Sequence, residues 1–543
     1  MEDPEHAEEK IRGARAWRGS GPRWAVAGLF AFALVQTAQV TREGTLQVRI
    51  LDSAGHPTPV RVRLEDSAGN RPKTRGALAV SESAIPIPRE AIPVMWGQND
   101  TAQGYALQPD GSFYVDGAFE ARVPAGAYRL TLSKGFEYTA QTATIEVAPG
   151  ATIAREFRLA RWTDMPAKGW YSADDHIHLR RSPADDAKIA KWVAAEGLDV
   201  GNLLQMGDFF ATYFSQYSFG EAGRYTEGGH MLVPGQEEPR TPEIGHTISL
   251  GAREFVRSQR DYYSFDRIFD RVHELGGVSG FAHQGMSFHG YRGMALNILR
   301  GKVDFLELAQ YCEPEGPIAV QHYYEFLDLG FRLTAMAGSD FPWCGIGPSY
   351  GGGEPRHSQI GDVRFYVYTG GPLTFDRYMA GIKAGHTFVT TGPMLSLTVN
   401  GKLPGDVLDI APGAKVRVVA EAAGSVKSVA IVAHGKVIAQ SAGNRVETEI
   451  APSHGVWIAA TCEGGRLQVA HTTPVYVTVN GDGFQNPETL QRNVDTAEAY
   501  LKEIETDLDN PPGNLDAQAP RHRAQLTRQV AEARAVLQKL KAK

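Results

Sequence analysis

A chain of 543 residues with 42% apolar content exceeds what one core serves and is too apolar for disorder, so about two to four domains are expected. A net charge of -7 with no basic run argues against a nucleic-acid binder and leaves small-molecule substrates open. Three cysteines, Cys312, Cys344 and Cys462, are too few and too scattered for a disulfide framework or a cysteine-rich zinc knuckle, so any metal must be held by His and carboxylate.

The first segment, residues 1–40, reads as an export signal. Arg12, Arg15, Arg18 and Arg23 precede an apolar run from Trp24 to Val35, and Gln36-Thr37-Ala38-Gln39 follows. The run is shorter than the roughly 20 residues that span a bilayer. A cleaved signal peptide is therefore favoured over an uncleaved anchor, with the protein periplasmic or secreted and membrane-bound only through such an anchor. Residues 44–160 then alternate apolar and polar positions, as in Leu46, Val48 and Ile50, Val60, Val62 and Leu64, and Tyr128, Leu130 and Leu132. This pattern predicts a β-sandwich. Its segment Val123-Pro124-Ala125-Gly126-Ala127-Tyr128 resembles the prealbumin-like or carboxypeptidase-regulatory-like modules that accompany secreted hydrolases.

Residues 162–393 alternate strand and helix. A helix over Asp185 to Glu196 leads through Gly197 into the apolar run Leu198 to Met206. Ser264 caps a helix carrying Phe265, Ile268, Val272 and Leu275, which Gly276 closes before an extended run into His283. Val303 to Leu308 is the next strand, a helix runs through Tyr323 to Phe326, and Leu333 to Gly338 runs into Ser339-Asp340. Repeated units of this kind predict a parallel sheet or barrel. Residues 394–482 return to strands and predict a second sandwich. Residues 486–543 carry two apolar stripes, Leu490 to Leu508 and Leu526 to Leu540, broken at Pro511-Pro512-Gly513, which predict an antiparallel helix pair.

The chemistry concentrates in the central region. In Asp174-Asp175-His176-Ile177-His178 the two histidines share one side of a strand, because side chains alternate with a period of two. That spacing suits a divalent metal, with Asp174 or Asp175 orienting a ring. Glu237, His246, His283 and Asp340 each fall at or just beyond the end of an extended run, where parallel folds gather their active sites. The set contains only donors suited to zinc, manganese or iron.

The order Asp175-His176-Ile177-His178, Gly197-Leu198-Asp199-Val200, Pro234-Gly235-Gln236-Glu237, Gly245-His246, Ala282-His283 and Gly338-Ser339-Asp340 resembles the PHP (polymerase and histidinol phosphatase) superfamily of metallohydrolases. It is most similar to the carbaryl-hydrolase branch called CehA/McbA, over about 169–393, and Gly385 to Pro393 resembles that branch's exit from the catalytic domain. The resemblance implies a distorted (β/α)7 barrel, flanked here by the two sandwiches and the helix pair. It also implies two divalent ions per chain, zinc, manganese or iron. The first would take His176, His178, Glu237 and Asp340, and the second Glu237 as a bridge with His246 and His283. The family's third-ion positions fall at Pro183, near Gln205-Met206, and at Pro342, which cannot ligate normally; Asp185, Asp186 and Asp208 lie near those gaps and leave a shifted third site open. Glu238 competes with Glu237 for the bridge.

An exported metal-dependent hydrolase follows, with activated water cleaving an ester, amide, carbamate or phosphoester bond of a small molecule. Asp340 and His176 are the expected catalytic residues, and Asp175 the expected partner behind them. Gln284, Glu307, His386 and Phe209 are expected to line the substrate pocket, with Gln310 beside them. The aromatic segment Phe209, Phe210, Tyr213, Phe214, Tyr217 and Phe219 is either a pocket wall or a packing surface, and as a wall favours ester, amide or carbamate over phosphate. Two other readings stay open: a degenerate barrel that binds carbohydrate or peptide, and an amidohydrolase-type barrel, against which Glu237 in the bridging place argues.

Overall fold

The computed structural model describes residues 43–81, 84, 106–108, 110–283, 289–311, 317–342, 358–465, 467–510 and 518–542. The proposed export signal, Gln284, Cys312 and Cys344 lie outside these residues. No helix among the described residues is long and apolar enough to cross a membrane.

The first seven strands are β1 (Glu43–Leu51), β2 (Pro59–Asp66), β3 (Thr74–Ala77), β4 (Phe113–Pro124), β5 (Gly126–Ser133), β6 (Gln141–Val147) and β7 (Thr152–Arg158). They form one sheet in the order β6-β5-β2-β4-β1-β7, with β3 also on β4, rather than two sheets of a sandwich. Strand β4 serves both halves: Phe113 to Asp116 pair with β2, and Ala118 to Pro124 pair with β1. The bend between them is at Gly117, with φ +75°, where a Cβ would lie 2.5 Å from that of Pro57. Only glycine combines that dihedral with so close an approach. Inward residues such as Leu46, Val62, Val115 and Leu130 bury one continuous core.

The central region departs from the expected barrel of repeated parallel units. Its strands are β8 (Trp170–Ile177), β9 (Val200–Gly207), β10 (Thr212–Tyr213), β11 (Tyr225–Glu227), β12 (His230–Glu237), β13 (Arg240–Thr241), β14 (Gly245–Leu250), β15 (Val278–Phe281), β16 (Phe305–Ala309), β17 (Thr334–Ala337), β18 (Arg364–Tyr368) and β19 (Thr387–Thr390). Pairing is parallel for β8–β9–β12 and for β15–β16–β17. It is antiparallel for β12–β14, β14–β15, β8–β18 and β18–β19. The sheet then continues through β19 into the strand Val469–Thr472, so C-terminal strands join the same closed sheet. Among the described residues of the C-terminal region, only the strands Met394–Val399, Val416–Ala423 and Arg445–Ile450 form a sheet apart. A (β/α)7 barrel flanked by two independent sandwiches is thus not the fold. Alternation of apolar runs with helices signals burial on both faces, but does not set strand direction: the hairpin β13–β14 reverses the chain without a helix.

Local expectations hold better than topology. Helix α1 (Asp186–Ala195) buries Ile189, Trp192 and Val193, and Trp192 donates its indole N–H to the Leu78 carbonyl at 2.9 Å, tying the helix to the N-terminal sheet. The helix Phe265–Glu274 starts after Ser264, whose hydroxyl makes no capping bond. The helix Leu490–Asp509 and the helix Arg523–Lys541 bury Val494, Leu501, Leu526 and Leu537 in the core shared with the central strands.

Candidate metal centre

Six side chains remote in sequence meet at one end of the central sheet. Strand β8 carries His176 and ends at Ile177, and its register on β9 shifts between Asp174 and Ile177. That irregularity turns both rings toward one point, with the Nε2 atoms of His176 and His178 3.1 Å apart. Glu237 is the last residue of β12. Beyond it the β13–β14 hairpin sets His246 opposite Arg240 and returns the imidazole to Glu237. Gly245 permits this turn, because a Cβ there would sit 2.5 Å from the Cα of Gly290. His283 follows β15 with φ +27°, and Asp340 follows β17 with φ +48°. Left-handed dihedrals at two non-glycine residues cost on the order of 1–3 kcal/mol each and cluster at functional sites.

The two oxygens of Glu237 divide the donors. Oε2 stands 3.4 Å from His178 Nε2 and 3.7 Å from His176 Nε2, and Oδ1 of Asp340 stands 3.2 and 3.4 Å from the same two atoms. Oε1 stands 3.0 Å from His246 Nδ1 and 3.6 Å from His283 Nε2, which are 3.2 Å from each other. Among the described residues, His176, His178 and Glu237 make one group able to hold a metal ion, and Glu237, His246 and His283 another. All six residues are buried.

The electrostatics suit ligands. Burial disfavours the Glu237 carboxylate, but Arg240 and hydrogen bonds from His176, His178 and His246 hold it well below the usual range. Asp340 is held low against burial by His176 and His178. Burial, with Arg240 beside it, drops His246 to about 3 and keeps that ring neutral. Burial also opposes the charged forms of His176 and His178, yet Asp340 and Glu307 raise His176, and Asp340 and Glu237 raise His178. Nδ1 of His176 lies 3.0 Å from Glu307 Oε1, and Nδ1 of His178 lies 3.4 Å from the Leu204 carbonyl. With both Nδ1 positions donating, both Nε2 lone pairs converge on two carboxylate oxygens, an arrangement that calls for a cation. Nitrogen and oxygen donors without sulfur fit zinc, manganese or iron.

Several expected residues take other places. Glu307, expected against substrate, instead lies behind His176 and also accepts the His283 backbone N–H at 2.5 Å through Oε2. A register shift between Glu307 and Ala309 aims it there, and Gln310 donates to it at 3.2 Å. Asp175, expected behind the ring, makes no hydrogen bond to His176; burial and Glu307 push its carboxyl well above the usual range. Asp174 accepts the backbone N–H groups of His176, Ser339 and Gly361 and the Ser339 hydroxyl. His386 lies outside the donor group and pairs with Asp406 at 3.2 Å. Phe209 packs on Tyr262 and His522, and the aromatic ring against the donors is that of Phe214, 5.7 Å from His178. Glu238 pairs with Arg257, which leaves the bridging place to Glu237. Asp185 is bonded to Ser81 and Ser182, Asp186 to Arg181 and Tyr217, and Asp208 to its own loop. None of these three carboxylates belongs to either metal-holding group among the described residues.

Sequence reasoning missed Arg240, whose Nε is 3.0 Å from Glu237 Oε1 and 3.3 Å from His246 Nδ1. Its only signal is a position three residues after Glu237, and what brings it inward is the hairpin.

No family model matches the chain, and no curated protein matches it. Among solved structures, a glycosyl hydrolase family 2 member from Bacteroides cellulosilyticus DSM 14838 overlaps 78% of this chain and 59% of its own at 10% identity, with a TM-score of 0.16. The apo Bacteroides uniformis beta-glucuronidase 3 overlaps 81% of this chain and 64% of its own at 10% identity, with a TM-score of 0.18. An FMN-binding beta-glucuronidase from Facaelibacterium prausnitzii L2-6 gives 81%, 74%, 10% and 0.16. The chain thus spans less than two thirds of the first two structures, and overlaps this weak define no shared fold.

Proposed function

We propose that the chain is a metal-dependent hydrolase with a two-ion centre bridged by Glu237, acting on an ester, amide, carbamate or phosphoester bond of a small molecule. The observation that carries this reading is the convergence of the His176 and His178 Nε2 atoms, 3.1 Å apart, on Glu237 Oε2 and Asp340 Oδ1, which lie 3.2–3.7 Å from them. Divalent ions held there would acidify a water and polarise a carbonyl or phosphoryl oxygen. The residue-order resemblance to PHP metallohydrolases supports the same chemistry, and the basic and apolar N-terminal pattern supports export.

The chain's own groups have distinct tasks. Glu307 fixes the tautomer of His176 by accepting from Nδ1, so that Nε2 faces inward. Asp340 is ionised and can take a proton from the attacking water. The Arg240 guanidinium, partly exposed beside the buried carboxylate, can stabilise negative charge that develops on a substrate oxygen. Phe214 covers the His178 side and limits water there.

Metal analysis of the purified chain, with turnover of aryl esters, carbamates, amides and phosphoesters before and after chelation, tests the proposal. About two ions per chain and chelator-sensitive hydrolysis are expected. A chain that retains no divalent ion and hydrolyses none of the panel after metal is restored would refute it.

A further inference from the structure

Strands β8 and β12, which deliver His176 and Glu237 to the donor group, and β9 between them begin at a different cavity. Tyr171 near the start of β8, Asp199 just before β9 and His230 at the start of β12 reach a space of about 570 Å³, whose opposite wall includes Thr58, Lys134 and Tyr138 of the N-terminal region. His230 and Glu237 are the two ends of β12, so at ~3.3 Å per residue the cavity lies roughly 20 Å from the donors. Its volume is that of a small-molecule site.

The cations of the lining are spent within it. Lys191 pairs with Asp116 at 2.6 Å and Arg161 with Glu137 at 2.6 Å, while Lys134 donates to the carbonyls of Pro59 and Ala194 at 2.8 and 2.7 Å. Acceptors remain. Asp199 uses Oδ2 for the Ser172 N–H and hydroxyl, at 2.7 and 2.9 Å, and its Oδ1 accepts nothing from the described residues. His230 donates from Nδ1 to the Leu198 carbonyl at 2.6 Å, which turns the Nε2 lone pair outward, and burial and Lys134 hold the ring near 4, hence neutral. Thr58, Tyr138 and Tyr171, each carrying a hydroxyl, also line this space.

We propose that the cavity binds a neutral polyhydroxylated molecule, a sugar of one or two rings. A hydroxyl both donates and accepts, so it satisfies the lone acceptors of Asp199 and His230 and the lining hydroxyls together. Tyr171 adds an aromatic ring for the C–H side of such a ligand, while the Tyr138 ring lies under Lys134 and Arg161, each 5.6 Å from its centroid. An anion would face Asp199 and Glu137, and a cation would stand beside Lys134. The inference does not depend on the metal reading.

Calorimetric titration and thermal unfolding of the full chain with D-glucose, D-galactose, maltose and cellobiose test it, with putrescine and inorganic phosphate as charged controls. One saturable site for at least one sugar is expected, unaffected by His176→Ala and weakened at least tenfold by Asp199→Asn and by His230→Asn, with metal content unchanged in the last two. Asparagine at 230 can still donate to Leu198, so that variant serves if Asp199→Asn fails to fold. No saturable sugar binding, binding undiminished in the variants, binding lost in His176→Ala, or preference for putrescine or phosphate would each overturn the proposal.

Discussion

At each end of strands β8, β9 and β12 stand a carboxyl and a histidine, buried at the donor end and half-buried at the other, and the two ends behave oppositely. At one end Glu237 lies among four histidines and beside Arg240, and Arg240 with His176, His178 and His246 holds it well below the usual carboxylate range. At the other, Asp199 is bonded only to Ser172 on one oxygen, and burial pushes its carboxyl up to about 7. The histidines differ too: the donor-end His176 is raised by the carboxylates of Asp340 and Glu307, while His230 is lowered to about 4. Residue type does not set these properties. The number of cations or ring nitrogens that each carboxyl meets does, and only the donor end combines ionised carboxylates with converging lone pairs.

The contrast breaks first at His176 and Asp340. His176→Ala or Asp340→Ala is expected to lower hydrolysis by at least about 1,000-fold, because each would remove a donor of the proposed first ion and Asp340 also the proposed base. Bound metal should fall by about one ion per chain; turnover and metal content both at wild-type levels would contradict the site. The next effect is at the support beneath it. Glu307→Gln keeps the shape but loses the charge behind His176, and metal affinity should fall about 10–100-fold, measured by competition with a chelator.

At the opposite end the effect is on stability and has a definite sign. Asp199 has a folded pKa near 7, above its unfolded value, so between about pH 4 and 7 the folded chain binds more protons than the unfolded one. Its contribution therefore turns less favourable as pH rises through that window. Asp199→Asn should flatten this part of the curve, with the difference from wild type growing from pH 5 to pH 7.5 in urea unfolding. A parallel offset at all pH values would show that Asp199 does not titrate there. The smallest expected change is Phe210→Ala. The residue is 59% exposed, so stability should stay within about 0.5 kcal/mol of wild type, while KM for aryl substrates rises if this ring belongs to the pocket rim.

Legibility in the sequence followed the range of the interaction involved. The stripe Ile189, Trp192 and Val193, the closing Gly276 and the two C-terminal stripes are local periodicities, and each matches an element of the structure. The donors were legible as residue types at strand ends. The roles around them were not: Glu307 takes the place behind His176 expected of Asp175, because register shifts at Glu307/Ala309 and Asp174/Ile177 re-aim side chains, and no hydrophobic pattern records a bulge.

The sequence by itself determined the apolar stripes of the helices named above and the position of His176, His178, Glu237, His246, His283 and Asp340 at or just beyond the ends of extended runs, since these depend on composition and on periods of two to four residues. Tertiary structure alone decided strand direction, the joining of the C-terminal strands to the central sheet, the placing of Arg240 beside Glu237 and the division of donors between that residue's two oxygens. Each of these depends on hydrogen-bonded pairing between segments far apart in the chain, and the free energy of such pairing lies in neither segment alone.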